Sequence, residues 1–350
     1  MRVILLLRRF LPLLLCLLLM VPQCAYGADK PAVSADAVML MDMASGTVLY
    51  ERNANEPHAI ASTTKLMTCL LACEAEVLQD KVTVKAEMLQ GLEGTSLNLK
   101  AGDSVTGEDL VKGAMLASGN DAANALAFAV SGSVESFVEL MNEKALLLGM
   151  QHTHFATPSG LDNGDNHSCA YDMALLACAA MRNAELAEIA AMKEAVITVN
   201  GVRRKIANHN KLLGLDSGFV GLKTGYTKKA GRCLISACRY ENNTVICVTL
   251  GAPDDWNDHV KLAEYAKGCY RTQSDTVTVS IPLVGAGKEA VAAAAAYSVT
   301  ACADVAVNIF YYPFAYCPVK EGDVLGYARI CVNGAVLATE PMRATESVNL

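Results

Sequence analysis

The sequence predicts an α+β protein, with an antiparallel sheet flanked by helical layers and followed by a small C-terminal all-β domain. Three observations carry this. Runs with strand character lie on both sides of a helical middle, at 37–53 and again at 219–250. A helical pattern at about 256–270 closes the second group, which suits an antiparallel sheet packed between helical layers. After Arg271-Thr-Gln-Ser-Asp275 the composition shifts to short β-rich runs broken by Pro282, Gly285, Pro313, Pro318, Gly322 and Gly326, the pattern of a separate β domain. At 350 residues the chain is long enough to bury two cores.

Taken in order, the chain opens with Arg2, Arg8 and Arg9 ahead of an apolar block at 10–21, and Ala25-Tyr-Gly27 then offers small residues at a cleavage site. This predicts a secretory signal peptide over residues 1–27 and hence an exported protein, because the apolar block is too short for a comfortable membrane span. Val21-Pro-Gln-Cys24 has the outline of a lipoprotein site, but Gln23 stands where a small residue is needed. The predicted catalytic domain runs over 28–272 and the β-rich domain over 273–350.

Residues 37–53 read as a hairpin turning at Ala44-Ser-Gly46. The apolar stretch at 61–72 reads as a buried helix, with a short strand following at 82–84. Thr106, with Asp109 three residues on, starts a helix to about Met115. Helices follow at about 122–130 and 133–148, the latter ended by Gly149. The segment 152–167 is turn-rich and 171–192 returns to helix, with Asn200-Gly201 marking a hairpin between strands at 195–199 and 203–206. Strands at 219–223, 232–239 and 244–250 complete the catalytic domain. In the tail, strands are expected at 276–281, 305–312, 324–332 and 335–339, while the alanine run 292–296 has a conflicting helical propensity.

Of the 29 basic and 36 acidic residues, the leader holds three arginines and no acid, which leaves 26 against 36 and a net charge of −10. So acidic a chain argues against nucleic acid as a partner. Eleven of the thirteen cysteines lie beyond the leader, an odd number without any Cys-x-x-Cys. Neither a zinc ribbon nor a thioredoxin motif is supported, and buried thiols acting as small hydrophobes are expected.

Chemistry is suggested by three short motifs in order, Ser62-Thr-Thr-Lys65, Ser118-Gly-Asn120 and Lys223-Thr-Gly225. On one helical face Ser62 and Lys65 come within hydrogen-bond reach, and burial disfavours a charged lysine so that its amine can serve as a base toward the serine. Alone, each motif has an ordinary reading: Ser62 and Ser118 as helix caps, Lys223 as a strand end. A zinc site from His152, His154, Asp162, Asp165 and His167 is the weaker alternative, since no His-Glu-x-x-His occurs. No metal and no cofactor is expected.

Together the motifs resemble those of serine penicillin-recognising enzymes, with a β-lactamase/transpeptidase-like fold. The wider stretches Pro57-His-Ala-Ile-Ala-Ser-Thr-Thr-Lys-Leu-Met-Thr68, Ser118-Gly-Asn-Asp-Ala122, His154-Phe-Ala-Thr-Pro-Ser-Gly-Leu-Asp162, Tyr171-Asp-Met-Ala-Leu-Leu176 and Gly221-Leu-Lys-Thr-Gly-Tyr-Thr227 are similar to the low-molecular-weight penicillin-binding proteins. These are the serine-type D-alanyl-D-alanine carboxypeptidases. The resemblance spans about 35–270, and the β-rich tail is similar to that family's C-terminal domain.

The resemblance implies that Ser62 attacks the carbonyl between the last two D-alanines of a peptidoglycan stem peptide, with Lys65 taking its proton. Ser118 passes a proton to the departing amine and Asn120 holds the substrate amide and Lys65. Lys223 and Thr224 suit the terminal carboxylate, Gly225 leaves room for substrate, and the N–H groups of Ser62 and Tyr226 form an oxyanion hole. It implies peptidoglycan stem peptides and inhibitory β-lactam antibiotics as partners, an extracytoplasmic location at the cell wall or the outer face of the cytoplasmic membrane, and leaves peripheral membrane or wall association open. A D,D-endopeptidase or a non-catalytic wall-binding protein are the rival expectations. Two departures stand out. No Glu-x-x-Leu-Asn follows Asn120, which argues against efficient penicillin hydrolysis, and the family's Lys-Thr-Gly-His is Lys-Thr-Gly-Tyr here.

Overall fold

The run Ala-Val-Met-Leu-Met-Asp has no polar face, so a strand made from it must be covered on both sides. In the computed structural model, Ala37–Asp42 is buried along its whole length. It lies second in a five-stranded antiparallel sheet whose order is Val48–Arg52, Ala37–Asp42, Asn243–Leu250, Gly231–Tyr240 and Phe219–Thr227. The structure describes residues 30–161, 165–215 and 218–349; the expected leader lies outside them. The chain divides into two compact units, Asp29–Gly268 and one that contains Cys269–Leu350.

Both faces of the five-stranded sheet are used. Met39, Met41, Ile235, Ile246 and Val248 join the main core, against which Ala170–Arg182 and Ala184–Ala191 pack. At about 1.5–3 kcal/mol for each large apolar side chain fully removed from water, this is the main stabilising term. The alternate residues Ser236 and Thr249 turn the other way, where the buried imidazole of His259, on the helix Asp255–Cys269, lies 2.6 Å from Ser236 Oγ and 2.9 Å from Thr249 Oγ1. Asp258 on the same helix accepts from the backbone N–H of Ser34 and of Ala35, at 2.9 and 3.0 Å, and so holds the chain leading into the first strand.

The helical middle contains Lys65–Glu74, Gly107–Met115, Asn120–Ser131 and Val134–Leu147. Thr106 caps the second of these by accepting from Asp109 N–H at 3.2 Å, as its spacing predicts. Two local expectations change. The predicted helix at 61–72 begins with a 3₁₀ turn, Ala61–Thr64. The predicted helix at 171–192 is two helices, because the Asn183 side chain accepts from Leu186 N–H and starts a second one. Among the described residues no helix is long and apolar enough to cross a membrane.

In the smaller unit, six strands are ordered Ala306–Tyr311, Val324–Val332, Ala335–Ala344, Ala290–Ala301, Arg271–Val284 and Ala315–Tyr316. The alanine run at 292–296 lies inside a strand paired with Arg271–Val284 from Arg271↔Ala301 to Pro282↔Ala290. Its helical propensity is overridden because every second alanine, such as Ala293 and Ala295, is buried in this unit's core.

Candidate active site

The site is built from the turn that carries Ser62. Ala61 has a positive φ of 48°, and Ile60 O accepts from both Thr63 N–H at 3.2 Å and Thr63 Oγ1 at 2.6 Å. This tightens the chain into a 3₁₀ turn, in which residues i and i+3 eclipse one another. The result is a Lys65 Nζ lying 2.8 Å from Ser62 Oγ. Lys65 is fully buried and donates a second bond to Ser159 O, also at 2.8 Å. Burial, with the Lys223 ammonium as a lesser cause, holds the Lys65 pKa well below the usual lysine range. A neutral amine next to a serine hydroxyl can accept its proton.

The 157–160 loop clamps this turn from behind. Pro158 O accepts from Thr68 Oγ1 at 2.6 Å, and Asn166 Nδ2 donates to Thr64 Oγ1 at 2.8 Å. Gly160, at a φ of 77°, lies so close to the carbonyl of Ala61 that no side chain fits there. The stretch containing Ser159 carries part of the family resemblance, but its anchoring carbonyl is a backbone group, which side-chain motifs do not announce.

The second wall is the junction at Ser118, whose φ of 59° places it in the left-handed region between two helices. Asp121, almost wholly buried, fastens the neighbouring segment by accepting from Ser96 Oγ at 2.6 Å, Leu97 N–H at 2.9 Å and Leu99 N–H at 3.0 Å. Asn120 N–H donates to Thr95 O at 2.8 Å, and its side-chain amide donates to Glu93 O. The Asn120 amide nitrogen is thus engaged by Glu93 O, while Lys65 Nζ donates to Ser62 Oγ and Ser159 O.

The strand Phe219–Thr227 forms the third wall. Lys223 is buried, burial lowers its pKa to about 8, and its ammonium donates to Thr224 O at 3.1 Å. A methyl group placed on Gly225 would lie 2.9 Å from Ile60 O, 3.0 Å from Thr63 N and 3.2 Å from Ser62 N. The bare face that the sequence reading left for substrate is thus turned to the Ser62 turn itself, and Gly225 is what lets strand and turn touch. Tyr226, next in the strand, is largely exposed.

A cleft of about 410 Å³ results, lined by Ser62, Ser118, Thr224, Gly225 and Tyr226 from the predicted set, together with Thr95, His209, Lys211, Arg232, Asp255 and Trp256. Arg232, the cross-strand partner of Tyr226, donates from Nε to Asp255 Oδ1 at 2.9 Å and has its guanidinium carbon 5.7 Å from the centre of the Trp256 ring. A guanidinium held from one side in this way keeps donors for an anion in the cleft. Arg232 follows Gly231 as one residue of a strand, so only its register opposite Tyr226 reveals it.

Among the described residues there is no group of three His, Cys, Asp or Glu arranged to hold a metal ion; Asp162, one of the five in the zinc alternative, lies outside them. His154 and His167 pair across a short antiparallel bridge. Ten of the eleven described cysteines are buried. Cys69, one turn beyond Lys65, has its thiol pushed far up by burial, so it stays protonated beside the two lysines.

A buried lysine amine set against a serine hydroxyl beside the edge strand of an antiparallel sheet is an arrangement suited to a serine-type peptidase. Comparison with known proteins agrees. The model of the D-alanyl-D-alanine carboxypeptidase family matches residues 25–254. D-alanyl-D-alanine carboxypeptidase DacF of Bacillus subtilis is 33% identical over 337 residues, covering 91% of this chain and 86% of the relative. DacC of Escherichia coli is 36% identical over 345 residues with the same coverages. Penicillin-binding protein 5 of Haemophilus influenzae superposes with a TM-score of 0.67 at 27% identity, over 93% of this chain and 100% of its own. The chain belongs to the D-alanyl-D-alanine carboxypeptidase family, and it is a serine-type enzyme of that family.

Proposed function

We propose that this enzyme is exported and removes the terminal D-alanine of peptidoglycan stem pentapeptides through an acyl-enzyme on Ser62, and that β-lactams enter the same path and form a stable ester. The observation that carries this reading is the buried Lys65 amine 2.8 Å from Ser62 Oγ, at a cleft shared by Ser118 and Tyr226. Lys65, held neutral by burial, takes the Ser62 proton as Oγ attacks the carbonyl. The developing oxyanion is met by the N–H groups of Ser62 and Tyr226, which a strand edge and a turn present without any side-chain requirement. The C–N bond breaks, Ser118 relays a proton to the leaving amine, and D-alanine departs. Water then cleaves the ester and restores Ser62.

Substrate is held by Lys223, Thr224 and Tyr226 along the strand, with the Asn120 carbonyl oxygen turned to the substrate amide. Lys223, whose pKa is about 8, is charged at neutral pH and supplies a positive field for the terminal carboxylate. Arg232 adds a second cation on the same wall.

The test is labelling with a fluorescent penicillin. Covalent label on the unmutated chain and none on Ser62→Ala is the expected result, and absence of label from the unmutated chain refutes the acyl-enzyme. Release of D-alanine from a pentapeptide, compared with cleavage of a cross-linked dimer, then assigns the enzyme as carboxypeptidase or endopeptidase.

A further inference from the structure

Seven Phe and Tyr side chains are exposed among the described residues, and six of them fall between 310 and 327, in the smaller unit. They are Phe310, Tyr311, Tyr312, Phe314, Tyr316 and Tyr327, and Tyr316 is the most open at 69%. Strand topology gathers them. Ala306–Tyr311 and Ala315–Tyr316 are the two outermost strands of the six-stranded sheet, yet only residues 312–314 separate them in sequence. Four residue steps span at most about 14 Å, so the sheet curls and its two edges meet at this segment. Tyr327 faces Phe310 across the adjacent strand pair, and Phe314 meets Tyr316 edge to face at 5.4 Å. Phe310 and Tyr327 share one face while Tyr311, next in the strand, takes the other. The rings thus gather as a seam around the meeting edges rather than on one face, and such a cluster of exposed aromatic side chains marks an interaction surface.

Charge decides between the surfaces such a seam could meet. Residues 271–349 hold five Lys and Arg against seven Asp and Glu. Two of those five cations are engaged, Arg271 with Asp304 and Lys288 with Glu346. Arg343 donates to Gly322 O, and Arg329 lies over the Phe310 ring at 4.9 Å. An anionic lipid surface, which is drawn to pooled Lys and Arg, finds no counterpart here. A neutral polysaccharide fits: a pyranose presents a flat face of C–H groups to an aromatic ring and a rim of hydroxyl and amide groups to tyrosine hydroxyls, and four of the six rings are tyrosines.

We propose that the aromatic seam at 310–316 and Tyr327 binds the glycan strand of the polymer whose peptides the catalytic unit trims. The choice of sugar polymer rests on the function proposed above. Tethering to the glycan raises the effective concentration of stem peptides at the cleft without any new contact there.

The test is co-sedimentation of the full chain with glycan strands stripped of their peptides, the lactyl carboxylates so uncovered being capped as methylamides to keep the polymer neutral. The unmutated chain and Ser62→Ala are expected to sediment alike. Tyr312→Ala and Tyr316→Ala, both at exposed positions, are expected to lose about three- to tenfold in affinity each. D-alanine release from a soluble pentapeptide stays unchanged in both, which separates loss of glycan binding from failure of the catalytic reading. The proposal is overturned if the unmutated chain does not sediment with stripped glycan, if both tyrosine variants bind as well as it does, or if binding is found only to vesicles containing phosphatidylglycerol.

Discussion

Replacing Gly225 by alanine tests the contact on which the site depends. The added methyl would stand 2.9 Å from Ile60 O, 3.0 Å from Thr63 N and 3.2 Å from Ser62 N. All three are backbone atoms of the Ser62 turn, so no side chain can swing aside. Restoring ordinary contact takes about 0.5 Å of separation between the strand and the turn. The turn is pinned from behind by the 157–160 loop, so the movement is resisted, and overpacking of this kind costs about 1–3 kcal/mol of stability. The effect on chemistry is larger in proportion. Ser62 Oγ and the Tyr226 N–H must converge on one carbonyl, and a displacement of about 1 Å at reacting atoms costs about 100-fold, so half of that predicts about tenfold slower acylation. The assay is the time course of fluorescent penicillin labelling, with a thermal melt to show that the chain remains folded. A folded Gly225→Ala variant that acylates at the unmutated rate would refute the view that this glycine sets the nucleophile's position.

Three further outcomes are expected. The alkaline limb of kcat/KM is expected near pH 8, because Lys223 is charged only below its lowered pKa; a limb that stays in place in Lys223→Arg, whose guanidinium keeps its charge, would assign it to another group. Arg232→Ala is expected to raise KM about tenfold for a substrate ending in a carboxylate and to change little for the matching C-terminal amide, which steady-state kinetics on the pair would show. His259 titrates at about 3 in the folded protein because burial disfavours its charge, against about 6.5 unfolded. Its stabilising contribution is full above about 6.5 and is lost as pH falls toward 3, so His259→Leu is expected to be less stable at pH 7, with Ser236 and Thr249 left unpaired at about 1–3 kcal/mol each, yet to show a flatter acid limb in urea denaturation.

Much of the fold was legible in sequence where periodicity and end signals agree. The buried run at 37–42, the Thr106 cap, the Asn200-Gly201 hairpin and the β character of the tail all follow from local patterns. The departures have local causes that composition conceals. Asn183 splits a helix because its side chain caps the second half, and the alanine run becomes strand because its alternate residues fill a core. Within the site, side-chain motifs led to Ser62, Lys65, Ser118, Asn120 and the Lys223–Tyr226 strand; Ser159 and Asp121 lie in stretches that carry the resemblance but were given no role, and Arg232 and His209 carried no such signal.

What the sequence by itself determined is the inventory of chemistry: a hydroxyl and an amine three residues apart, a Ser-Gly-Asn motif between two helical patterns, and a Lys-Thr-Gly strand, each with an ordinary reading when taken alone. Only the tertiary structure decided that these meet. Proton affinity and reach are properties of surroundings, and here the surroundings come from distant segments: burial depresses Lys65, the carbonyl of Ser159 orients it from 94 residues away, and the missing side chain of Gly225 lets the third wall close on the first.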